Sequence, residues 1–265
     1  MRSITTLAIT ILQGAALSAQ ESVVLRLAPP AGQVSHYRYE MRMWMQVPGM
    51  PVGDSSAPSM SMTGGFTQSV THVDGDAHES RFAYDSLKLD APMMGGMGGQ
   101  PEHMLKGLVI VTRLDGRGRV LSTQVTGGDS TMQRQLSQVT SGRQLQLPLM
   151  PEAAVTAGTT WVDSQNVSLP MGAVGQMHSA ARMTYRLERM EHQGGSILAV
   201  ISGTGSTTQA STVMTASGTV TSEFVLDLSA GRLVKSTAVM NMTMSVSQMG
   251  QSIPMRSVAT TVLVP

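Results

Sequence analysis

The sequence predicts a mainly β protein: a large curved antiparallel sheet, half barrel or barrel-like, in two similar halves with one short helix near the midpoint. Three observations carry that expectation. Residues 37, 39, 41, 43, 45 and 47 are Tyr, Tyr, Met, Met, Met and Val, while His36, Arg38, Glu40, Arg42 and Gln46 fill the gaps and Trp44 alone breaks the rule. Successive strand side chains point to opposite faces, so a period of two describes a ribbon with one apolar and one wet side. The same pattern returns late in the chain, with Val234, Ala238, Met240, Met242, Met244 and Val246 on one face and Asn241, Thr243, Ser245 and Ser247 on the other. Such runs exceed the usual strand length of about six residues, and twist makes long ribbons bend.

In chain order, residues 1–19 read as a secretory signal peptide. Arg2 precedes an apolar stretch through Ile4, Leu7, Ile9 and Leu12 that ends in Ala15, Ala16, Leu17, Ser18 and Ala19. The stretch is too short to span a bilayer and ends in the small residues that cleavage requires. Strand-like runs follow at about 22–28, 34–47, 60–73, 78–90, 105–115, 118–126, 159–168, 177–191, 196–208, 213–228, 231–248 and 255–264. One helix interrupts them over 130–141, where Met132, Leu136 and Val139 recur at helical spacing. Ser130 and Gln133 form a capping box and Gly142 ends the turn. Leu147, Pro148, Leu149, Met150 and Pro151 then redirect the chain. The organisation is therefore a first β half over 20–147 that includes the helix, and a second over 148–265.

Composition narrows the function. The chain holds 18 basic and 17 acidic residues for a net charge of +1, which argues against a nucleic-acid partner. It has no cysteine, hence no disulfide, no thiolate metal site and no cysteine for lipid attachment. Beyond the signal no apolar stretch is long enough for a spanning helix. With three Phe, two Trp and four Tyr, the aromatic girdles of an outer-membrane barrel are not in evidence.

The halves resemble each other. Residues 66–72 and 74–76 align with 185–191 and 193–195, and the hairpin at Leu114, Asp115, Gly118 and Arg119 resembles that at Leu226, Asp227, Gly231 and Arg232. Asp and Gly are ordinary hairpin residues, so two unrelated meanders account for this equally well. The string Leu147, Pro148, Met150, Pro151, Val155, Gly158 and Trp161, followed by Tyr185 and by Asp227, Gly231, Arg232 and Leu233, resembles an uncharacterised family of exported bacterial β-proteins. The resemblance covers roughly residues 108–264 and extends in outline to the lipoprotein-carrier half barrels. It implies an exported sheet protein and brings no catalytic residue with it. The missing lipid-attachment cysteine sets this chain apart from many envelope relatives.

Candidate chemistry is sparse. Gly128, Asp129 and Ser130 resemble the nucleophile turn of GDS-type esterases, but the late Asp-x-x-His of that family is absent and helix capping explains the same residues. His72 and His78 flank a tight turn with Asp74 and Asp76, a nitrogen and oxygen donor set open to zinc or copper(II), although such tips are ordinarily just solvated. Methionine is the sharper feature, at 23 residues. Thioethers are soft donors that do not protonate, so Met93, Met94 and Met97 in their glycine-rich loop, beside His103, form a candidate copper(I) site. The methionines on strand faces read first as adaptable packing.

About twelve half-apolar strands cannot leave those faces wet, and a single short helix covers little of them. Full closure gives an ordinary core, whereas incomplete closure gives a concave lumen suited to an acyl chain or similar guest. The expectation is therefore an exported, non-enzymatic protein without cofactor that binds an apolar, lipid-like ligand or an envelope protein. The lining residues would be Tyr37, Tyr39, Met41, Met43, Met45, Met240, Met242 and Met244. The alternatives are a Met-rich copper(I)-handling protein and a purely structural or interaction module.

Overall fold

A computed structural model describes residues 22–46, 57–90, 107–128, 147–170, 176–246 and 251–265. The signal peptide, the helix over 130–141, and Met93, Met94, Met97 and His103 lie outside the described residues. Among the described residues there is no helix.

The strands are β1 (Val34–Met45), β2 (Met60–Asp74), β3 (Ala77–Asp90), β4 (Val109–Leu114), β5 (Val120–Thr126), β6 (Thr160–Pro170), β7 (Gln176–Gln193), β8 (Ser196–Ala210), β9 (Met214–Asp227), β10 (Arg232–Val246) and β11 (Gln251–Val264). They form one antiparallel sheet in the order β5-β4-β3-β2-β1-β11-β10-β9-β8-β7-β6. The first five strands run outward from the centre to one margin. The chain then reappears at the opposite margin and works back until β11 pairs with β1. The two margins, β5 and β6, do not pair with each other, so the sheet is not closed.

Eleven of the expected strands are present, and the run at 22–28 is a correction. There only Val23 makes a bridge, exchanging two 2.8 Å backbone hydrogen bonds with Val155. Leu25 and Leu27 are apolar because they are buried in the core as a connecting segment, not because they alternate in a ladder. Trp44, the break in the opening pattern, faces away from the core side and lies under the guanidinium of Arg256, 5.5 Å from the ring centroid, a cation–π contact that suits an aromatic on a wet face.

Register places the apolar side chains on one face, here called the core face. Tyr37 of β1 stands opposite Phe66 of β2, and Phe66 opposite Tyr84 of β3. Across the other half, Trp161 opposes Tyr185, Tyr185 opposes Gly203, and Ile201 opposes Phe224. Aromatic rings meet along these rows, with Tyr37 stacked on Phe66 at 5.0 Å and Trp161 5.9 Å from Tyr185.

The buried cluster lies at one end of this face. It joins Tyr37, Phe66, Phe82, Ile110 and Val125 from the first five strands to Tyr185, Leu187, Ile201, Phe224, Leu226 and Leu233 from the rest. Two connecting segments complete it by inserting Leu25, Leu27, Leu147, Met150 and Val155. Fully burying each such side chain contributes about 2 kcal/mol, which makes this end the seat of stability. The segment 147–155 touches both flanks of the sheet: Met150 donates its N–H to the Arg117 carbonyl in the β4–β5 turn, and Trp161 of β6 donates Nε1–H to the Leu149 carbonyl at 2.8 Å. Arginines secure it further, Arg117 through the Met150 carbonyl at 2.7 Å and Arg26 through the carbonyls of Pro151 and Glu152.

The conspicuous turn motifs of the sequence are structural. Asp115 accepts the N–H groups of Arg117 and Arg119 at 3.0 and 2.8 Å, and Asp227 accepts that of Ala230 at 3.1 Å. Gly231 adopts φ 61°, and a Cβ there would meet the backbone of Ala28 and Pro29. Glycine is required by both the left-handed conformation and the close passage of the 22–33 segment.

Candidate functional site

Methionine collects at the other end of the core face. Antiparallel alternation brings the end of β1, the start of β2, the end of β10 and the start of β11 to the same side of the sheet. Met41 stands opposite Met62, and Met43 opposite Met60. On the other side of β1, Met43 opposes Ser257, which opposes Met240, and Met45 opposes Met255, which opposes Met242. Met244 opposes Ile253. Met41, Met43 and Met45 thus share a face with Met240, Met242 and Met244, with β11 between the two groups.

Their exposure differs from that of the packed end. Met242 and Ile253 are each 5% exposed, whereas Met41, Met43, Met45, Met60, Met62, Met240, Met244 and Met255 are all half-buried. No charged residue points from β1, β10 or β11 onto this face: the residues between the methionines are Ser236, Ala238, Ser257, Ala259 and Thr261. The opposite face carries Arg38, Arg42 and Arg256, with Glu40 and Arg42 paired at 2.5 Å. Such exposed pairs contribute at most about 1 kcal/mol and keep that side wetted.

Small residues lie beside the methionines. Gly203 and Gly205 of β8 and Gly218 of β9 are on the core face, opposite Tyr185, Met183 and Met242 respectively. A Cβ on Gly205 would fall 2.6 Å from Met183 Sδ and against the Arg182 carbonyl, and one on Gly218 would fall 2.7 Å from Met242 Cγ and against the Asn241 carbonyl. Neighbouring strands therefore approach so closely at these points that only glycine fits.

Tyr37 lies at the packed end of the core face and not on this surface. It is 2% exposed and donates its hydroxyl to the Leu233 carbonyl at 3.0 Å, in the packed end of the sheet. Burial pushes its phenol up to about 12. Tyr39 sits at the boundary, half-buried and packed against the core, its phenol also raised by burial and by nearby Tyr84. Met255 and Ile253, absent from the expected lining, complete this surface, because β11 begins at Gln251 and its register sets them opposite Met242 and Met244. The register that sets Met60 and Met62 opposite β1 is visible only in the ladder.

The histidine tip is also corrected. His72 is exposed, whereas His78 is 3% exposed on the core face, opposite Leu114. Burial lowers the His78 imidazole below its ordinary value, a nearby Asp115 acting against that trend, and its Nδ1 has no hydrogen-bond partner. The two rings point to different environments and do not share a site. Among the described residues no group of three or more His, Cys, Asp or Glu is placed to hold a metal. Nor is any described helix long and apolar enough to cross a membrane.

No family model matches the chain, and no curated protein matches it. Among solved structures it is similar to the crystal structure of the hypothetical lipoprotein YmcC from Escherichia coli (K12), at 10% identity and a TM-score of 0.27, covering 83% of this chain and 85% of that one.

Proposed function

We propose that this chain is an exported, non-enzymatic β-protein whose sheet curves into a half barrel and holds an apolar, lipid-like ligand against the methionine-lined end of its core face. Curvature is supported by the segment 147–155, which bonds at Leu149 to β6 and at Met150 to the β4–β5 turn. In a flat sheet those flanks would be about 48 Å apart at the usual strand spacing. Core-face glycines such as Gly205 and Gly218 support it further, since close strand approach at glycine marks the bends of curved sheets.

The single observation that carries the binding reading is the contrast in cover. One end of a continuous apolar face is plugged by Leu25, Leu27 and Met150, and the other is left half-covered with methionine. Completing the burial of one half-exposed methionine contributes about 1 kcal/mol. Micromolar affinity needs about 8 kcal/mol net of ordering costs, so a guest has to span most of this face. An elongated acyl chain does so, and unbranched thioethers adapt to its shape.

Native mass spectrometry of gently purified protein tests the reading. A co-purifying species that organic solvent extracts, and that is lost when Met43, Met45 and Met240 are replaced by Ser, is the expected result. Protein that stays ligand-free and fails to take up added fatty acid contradicts it.

A further inference from the structure

Three thioethers stand abreast on three adjacent strands. Met45 of β1 is directly opposite Met255 of β11, and Met255 is directly opposite Met242 of β10. Directly opposed residues of an antiparallel ladder project to the same face with Cβ atoms about 5 Å apart. Each methionine carries three rotatable bonds, so sulfurs from the two flanking strands can converge over the central one.

Packing alone does not call for methionine here. Strand interiors favour β-branched and aromatic side chains, and the plugged end of the same face uses them: Phe66, Val70, Phe82, Ile110, Val125, Ile201. At the half-covered end the two pairs Met41–Met62 and Met43–Met60 flank the trio as further thioethers. No carboxylate, imidazole, lysine or arginine shares the core face of β1, β10 or β11. Hard cations such as Mg²⁺ and Ca²⁺ therefore find no oxygen cage, and zinc finds neither imidazole nor thiolate. What the core face of these three strands does offer, among the described residues, is a set of soft, uncharged sulfur donors with no ammonium or guanidinium on the same face to repel a cation.

We propose that Met45, Met242 and Met255 form a three-coordinate thioether site for a soft monovalent cation, copper(I). This places the site on the sheet and not in the loop of Met93, Met94 and Met97. Because thioethers carry no proton to lose, binding is as strong at pH 5 as at pH 7, unlike binding at imidazole or thiolate. It is distinguishable from the binding of an apolar guest on the same face, since leucine in place of methionine keeps volume and hydrophobicity but removes the donor.

The test uses the full chain with its methionine methyl groups labelled with carbon-13, titrated with silver(I) as a redox-inert probe and with copper(I) under ascorbate without oxygen. The expected result is one tight equivalent, with the methyl signals of Met45, Met242 and Met255 shifting together, equally at pH 5 and pH 7. Met255→Leu should weaken binding at least tenfold with its thermal midpoint unchanged, and Met45→Leu serves in its place should that variant fold poorly. A triple Met93→Leu, Met94→Leu, Met97→Leu variant should bind as the parent does. The proposal is overturned if the leucine variant of the sheet retains full affinity, if the three signals stay in place while others shift, or if the loop variant abolishes binding.

Discussion

Tyr37 of β1 donates its hydroxyl to the carbonyl of Leu233 in β10 at 3.0 Å, reaching over the intervening strand β11. The bond ties the opening strand to the late meander at the plugged end of the sheet. Tyr37→Phe keeps the stacked ring on Phe66 and removes the bond, which should cost about 1 kcal/mol in urea unfolding, whereas Tyr37→Ala should cost about 4 kcal/mol.

The same phenol sets an alkaline limit. Burial raises it from 10.0 to about 12, so the folded chain keeps this proton after the unfolded chain has released it. Its contribution to stability is intact below pH 10 and is lost as pH rises from 10 through 12. Unfolding midpoints measured between pH 9 and 12 should fall less steeply for Tyr37→Phe than for the parent.

His78 acts at the acid side. Burial depresses its imidazole below the ordinary 6.5, so on acidification the unfolded chain takes up this proton first. Stability should decline as pH falls through 6.5 toward the folded value and level off below it. A His78→Leu variant should show a shallower decline between pH 7 and 5 in the same unfolding assay.

At Gly205 and Gly218 an added methyl would meet the carbonyl of Arg182 and of Asn241 in the adjoining strand. Each Gly→Ala change should therefore destabilise by about 1–3 kcal/mol, although alanine ordinarily stabilises a strand relative to glycine. Thermal melts of the two single variants check this. An unchanged midpoint would mean that the strands part easily at these positions.

How much of this was legible beforehand follows from what a period of two encodes. Alternation around Met41 and Met240 fixes strand identity and which residues share a face, so eleven strands and the common face of the methionines could be read without coordinates. Alternation does not encode which strands pair. That β11 separates β1 from β10, and so sets Met255 between Met45 and Met242, depends on the chain crossing from one margin of the sheet to the other. Leu25 and Leu27 misled because burial by a neighbouring segment leaves the same apolar signature as a ladder. For His78, the first residue of the run expected at 78–90, alternation alone does not tell that its ring turns to the buried face while His72 stays exposed. Tyr37 and Met41 look equivalent in the pattern, and only the position of the plug makes one a core residue and the other part of an accessible surface.

The central claim is that the methionine-lined end of the core face is a binding surface while the plugged end is not. Adding a long-chain fatty acid to protein with carbon-13-labelled methionine methyl groups tests it most directly. The signals of Met41, Met43, Met45, Met240, Met244 and Met255 should move on saturation, while that of Met150, which is fully buried in the plug, should stay in place. Stationary signals at the open end, or a response confined to Met150, would contradict the account.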